Sequence, residues 1–130
     1  MAEAQPEADD QTIQGNVFLW RRVPKTPSHY VYDENLNRMR ATSAAFKDHP
    51  NGSPMSVTID VGQDPTTAIK NYPNNGLAAI TTELVRSLGQ TVRRSPVHDD
   101  PNHAEVVGPK PKRVSSEMAK AAVWIIHPPP

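Results

Sequence analysis

The sequence contains no cysteine. That absence excludes disulfides, thiol catalysis, Fe–S clusters and cysteine-ligated zinc. Aromatic residues make up only 5% of the chain and are not interleaved with the arginines as a base-stacking platform requires. No apolar run approaches the roughly 18 residues of a membrane span, and no basic-then-apolar signal segment opens the chain. Gly-x-Ser-x-Gly, His-Glu-x-x-His, P-loop and Rossmann signatures are all missing, so no catalytic motif stands out. Net charge is missing too, with 14 Lys+Arg against 14 Asp+Glu. Leu, Ile, Val and Phe supply just under a fifth of the residues, a level that goes with disorder only when net charge is high. A small folded body is therefore the expectation.

What is present is proline, 14 in 130 residues, about twice the usual share. The balanced charge is also unevenly spread. Residues 1–15 carry Glu3, Glu7, Asp9 and Asp10 with no basic residue, and only Ile13 as a large aliphatic. Such a segment buries too little apolar surface to offset its ordering entropy. It reads as a disordered acidic leader. Residues 16–127 read as a single α+β domain, and the prolines at 128–130 as an extended tail.

Within the body, Asn16–Val23 is a short apolar run closed by Pro24 and reads as a strand near the sheet centre. Residues 29–32, 55–60, 76–81, 90–94 and 103–107 have strand character, and 123–126 is a closing strand or a docked tail. Short helices are expected over 64–72 with Asp64 as cap and Pro65 in the first position, over 82–88, and over 115–122 behind Ser115, while 42–47 could form another capped by Thr42 or Ser43. The order is not a regular β-α alternation. The expectation is an α+β fold with a small, mostly antiparallel or mixed sheet of about five or six short strands and about three short helices. Phe18, Trp20, Val57, Ile59, Ile69, Leu77, Ile80, Leu84, Leu88, Val106, Val107, Trp124 and Ile126 are its candidate core.

Two polar clusters carry chemistry. Arg38-Met39-Arg40-Ala41-Thr42-Ser43 sets two guanidinium forks before a hydroxyl-rich helix start, a pattern that suits a phosphate or other anion. Arginines before a helix cap are also common with no ligand. His98-Asp99-Asp100-Pro101-Asn102-His103 packs two imidazoles and two carboxylates into six residues, types that ligate divalent metals. Pro101 keeps these histidines off one helix face, so a turn shaped by the aspartates is the stronger reading, and no metal is assigned. Arg21-Arg22, Arg93-Arg94 and Lys110-Pro111-Lys112-Arg113 would suit nucleic acid if they clustered, and otherwise are solvated strand faces and a flexible linker.

The stretches Leu19-Trp20-Arg21-Arg22-Val23, Arg40-Ala41-Thr42-Ser43-Ala44-Ala45-Phe46, Met55-Ser56-Val57 and Pro96 through Ala104 resemble a group of small bacterial proteins. The resemblance implies a bacterial or phage cytoplasmic protein and brings no activity with it. Arg21 or Arg22 followed by Ser43 also resembles the opening of ADP-ribosyltransferase-like folds. The later glutamate of those folds has no matching motif; Glu83 and Glu105 are the nominees.

The leading expectation is a non-catalytic binding or accessory module of a bacterial system, such as a mobile-element or defence-associated one. It would act on a protein partner through Arg38, Arg40, Ser43, His98 and His103, with no cofactor, no membrane contact and a cytoplasmic location. The alternative is a small enzyme acting on a nucleotide or NAD through Arg22, Ser43 and His103, or weak nucleic-acid binding. The enzyme requires those three residues in one pocket; the binding module requires the turns near 40 and 100 on one rim.

Overall fold

A computed structural model describes residues 9–129. Its strands are β1 (Phe18–Val23), β2 (Tyr30–Asp33), β3 (Arg38–Ala41), β4 (Met55–Ile59), β5 (Gly76–Thr81), β6 (Thr91–Arg94), β7 (His103–Val107) and β8 (Val123–Ile126). The helices are α1 (Thr82–Ser87) and α2 (Lys112–Ala121). Six strands form one sheet in the order β6-β7-β4-β1-β5-β8, every neighbouring pair antiparallel, while β2 and β3 make a separate hairpin. The fold is thus α+β.

Register sorts the side chains between two faces, because successive residues of a strand point opposite ways. Leu19 lies opposite both Ile59 and Ile80, and Val57 opposite Ala104. These residues share the first face with Arg21, Val23, Met55, Val92 and Val106. Ile13, Phe46, Val85 of α1, and Val114 and Met118 of α2 close over it as the main core. On the second face, Trp20, Thr58 and His103 form one cross-strand row. Trp20, Leu77 and Ala79 are covered there by Ala68 and Ile69 from the 3-10 turn Pro65–Ile69. Arg22, Thr58, His103 and Glu105 make the neighbouring part of that face polar.

Several expectations need correction. Among the described residues there are two α-helices, not about three, because the segments at 43–45 and 65–69 are 3-10 turns. Asp64 does cap the second, accepting from the Thr66 amide at 3.0 Å, but Pro73 follows too soon for a full α-helix to develop. Strands number eight; β3, with Met39 as its only large apolar residue, is held by the turn after Asp33, whose carboxylate accepts from the Asn35 amide, and by Asn37 at φ 54°. α2 begins at Lys112 instead of behind Ser115. Ser115 is no cap: it is fully buried, and its hydroxyl donates to the Phe46 carbonyl at 2.7 Å.

The disorder expected over residues 1–15 does not extend to 9–15. Residues 1–8 lie outside the described residues, but 9–15 are packed. Ile13 is 1% exposed within the main core. Asp9 pairs with Arg86 at 2.8 Å and Asp10 with Arg94 at 3.1 Å. One large aliphatic suffices because its neighbours bring ion pairs and backbone hydrogen bonds to an exposed sheet edge. In the proline tail, Pro128 is buried against Gly76, where an added Cβ would meet its ring at 2.6 Å. Pro130 lies outside the described residues. In the core, Phe18 is 38% exposed, and Phe46, absent from the candidate core, is fully buried.

Candidate functional site

The expected basic surfaces are largely spent on the fold. Arg21 points into the first face, where Nε donates to the Ala45 carbonyl at 2.8 Å and one terminal nitrogen to the Ser56 carbonyl at 2.9 Å. Burial, then the neighbouring Arg22 charge, pushes its guanidinium down to about 10, so it stays protonated at neutral pH and staples the 45–47 loop to β1 and β4. Lys110, expected in a flexible linker, has a side chain only 3% exposed. Its ammonium bonds Asp48 at 2.6 Å and the Val106 carbonyl at 2.8 Å. Arg93 pairs with Glu105 at 2.7 Å. Strands β1 and β6 are separated by β4 and β7, so the two arginine pairs do not adjoin.

Among the described residues two large cavities stand out, on opposite faces. The first, about 500 Å³, is a cleft between the β2–β3 hairpin and α2, floored by Ala78 and Trp124. Four basic side chains, Arg38, Arg40, Lys112 and Lys120, line it against one carboxylate, Asp33. That carboxylate accepts from Arg40 Nε at 2.7 Å, and this bond, with the Leu36 and Asn35 amides, holds it below the ordinary carboxylate range. Arg38 and Lys112 have no partner among the described residues. Ser43 lines the same cleft, so Arg38, Arg40 and Ser43 come together as their sequence proximity suggests. Trp124 is fixed edge-on to Tyr30, with ring centroids 5.6 Å apart, and its indole donates to the Met39 carbonyl at 3.3 Å.

The second cavity, about 430 Å³, is a basin on the other face, between the row of Thr58 and His103 and the segment running through Lys70 and Tyr72. Arg22 reaches it, its guanidinium 4.1 Å from the centre of the Tyr72 ring. His103 Nδ1 lies 2.7 Å from the Ser95 carbonyl, which can only accept. Nδ1 therefore carries a proton, and in the neutral ring Nε2 is the acceptor. Asp100 holds the loop, accepting from Thr58 Oγ1 at 2.6 Å and from the Asn102 amide at 3.0 Å.

The residues nominated for catalysis therefore divide. Arg22 and His103 line the basin, whereas Ser43 lines the cleft. Register makes the separation unambiguous: Ala78 of the cleft lies opposite Arg21, while Arg22 lies opposite Leu77 and faces the other way. Glu105 is bound to Arg93, and Glu83 is exposed on α1. The binding set divides too, with His98 exposed in the loop bordering the basin and His103 within it. The turns near 40 and 100 do not share a rim. Among the described residues no three His, Asp or Glu side chains gather as a metal site, and no helix is long and apolar enough to cross a membrane.

Sequence reasoning missed Lys112 and Lys120 as members of the cleft. Their spacing toward the polar side of an Ala-rich helix was the available signal, but the partner hairpin lies some seventy residues earlier in the chain. Tyr72 and Lys70 were likewise hidden inside an apparent helix. No protein-family model, curated protein or solved structure matches the chain.

Proposed function

We propose that the protein is a non-catalytic binding module whose cleft between the β2–β3 hairpin and α2 receives an acidic segment of a protein partner. One observation carries this reading: among the described residues Arg38 and Lys112 line one cleft without partners, and the one carboxylate lining it is already tied to Arg40. Uncompensated cations around a concave surface attract carboxylates and steer their approach. Apolar surface beside the charges favours a polypeptide over a bare anion. Leu36, 52% exposed, and Trp124 line the cleft, and β8, the strand carrying Trp124, is an open sheet edge with Val123 and Ile125 exposed. Such edges accept extended chains.

The test is titration with a glutamate-rich peptide, read by the indole resonance of Trp124. Binding that weakens as salt rises, and that drops about tenfold when Arg38→Glu and Lys112→Glu are combined, is expected. An unmoved Trp124 resonance, or binding indifferent to both charge reversals, would dismiss the reading.

A further inference from the structure

The basin on the second face belongs to no part of the cleft. Its charges are composed differently. Arg22 and Lys70 bring two positive charges, and Asp99 and Asp100 bring two negative ones. The signs are also segregated. The cations come from β1 and the segment after the 3-10 turn, the carboxylates from the turn at 99–100 before β7. A simple anion would meet the fixed charge of Asp100, and a simple cation would meet Arg22. A molecule carrying both signs meets neither objection.

A second observation points to a ligand. Trp20 is only 3% exposed, yet its indole N–H is a buried donor with no hydrogen-bond partner among the described residues. Buried donors are nearly always satisfied, because an unmet one costs about 1–3 kcal/mol. Trp20 lines a recess of about 20 Å³ together with Arg22, Thr58 and His103, the same three residues that line the basin. That volume suits a single oxygen atom. Its lining brings together Trp20 with that unpartnered indole, Arg22, whose guanidinium has among the described residues only the Tyr72 ring and one long 3.5 Å contact to the Ala68 carbonyl, and His103.

We propose that this basin binds a small zwitterion of the free amino-acid class, with its carboxylate on Arg22 and the Trp20 indole and its ammonium toward the turn at Asp99 and His103 Nε2. The carboxylate matches the planar guanidinium fork, and one of its oxygens fills the recess as acceptor for the indole. The ammonium, a donor only, meets the carboxylate of Asp99 and the one ring nitrogen that can accept. The cavity size is that of a small-molecule site. Binding here and binding in the cleft are separate events on opposite faces.

The experiment uses the full chain labelled with ¹⁵N, whose two tryptophans report the two sites separately. Free amino acids are titrated one by one against matched N-acetyl amino-acid amides, which keep the side chain but lose both charges. At least one free amino acid should move the Trp20 indole resonance saturably and leave that of Trp124 in place, while its capped analogue moves neither. Arg22→Gln should weaken that binding roughly tenfold or more, as expected for a lost hydrogen bond to a charged group. No movement of Trp20 with any free amino acid, or equal movement with the capped form, overturns the proposal. Undiminished affinity in a folded Arg22→Gln variant overturns it as well. Since the cleft is read by Trp124 and a glutamate-rich peptide, failure at either site leaves the other standing.

Discussion

Arg21 and Arg22 are neighbours in sequence and opposites in use. Arg21 turns into the helix-covered face and ends on the Ala45 and Ser56 backbone carbonyls; Arg22 turns to the other face and rests on the edge of a basin. The same contrast separates Lys110, sealed against Asp48, from Lys112, which lines a cleft without a partner. Strand alternation and a two-residue step decide which cation holds the fold and which is available to a ligand. Counting basic residues along the chain cannot make that distinction.

Five variants can break the contrast. The deepest cut is Ile13→Ala on the helix-covered side, where loss of a 1% exposed side chain should cost about 3 kcal/mol in chemical denaturation. A cost near zero would mean that residues 9–15 do not belong to the folded body. Arg21→Leu should follow at about 2 kcal/mol, because it removes buried charge-assisted hydrogen bonds to the Ala45 and Ser56 carbonyls. Arg22→Leu should stay within about 0.5 kcal/mol, and comparable losses from the two would erase the distinction between the faces.

Acid gives a smaller effect. Hydrogen bonds from Thr12, and then Arg94, hold the Asp10 carboxylate below its ordinary range. A depressed native value stabilises the fold above the unfolded value near 4, and that contribution disappears as pH falls through the native one. Asp10→Asn should therefore lose less than about 1 kcal/mol at pH 7 and make the decline in Tm below about pH 4 shallower. An unchanged acid slope would remove Asp10 from that account. Smallest of all, Arg38→Glu with Lys112→Glu should leave Tm nearly unchanged while abolishing most peptide binding. A large drop in Tm would show that those cations also serve the fold.

The sheet was legible where apolar residues are dense or alternate. Phe18–Val23, Met55–Ile59 and His103–Val107 are visible as strands because burial there is encoded in local pattern. β3 was not, since Arg38-Met39-Arg40-Ala41 owes its extended form to the Asn37 turn and to pairing with β2 instead of a buried face of its own. The candidate sites divided along similar lines. Arg38, Arg40 and Ser43 share a cleft because they are adjacent in the chain. The convergence of Lys112 with Arg38, or of Tyr72 with Arg22, depends on contacts 74 and 50 positions apart, which neither composition nor spacing encodes. Ser43 and His103 were grouped on chemistry alone, and a one-residue alternation sends their sites to opposite faces.

The two margins of the main sheet are not equivalent. At β6 the amide and carbonyl of Val92 are both taken, by the Asp9 carboxylate at 2.9 Å and the Asp10 amide at 2.8 Å. At β8, paired with β5 on one side, no strand lies on the other among the described residues. A sheet with one blocked margin and one open margin admits a single added strand. If two copies of the chain ever join through it, they do so back to back and the assembly closes at a pair, whereas two open margins would let it polymerise into a fibre.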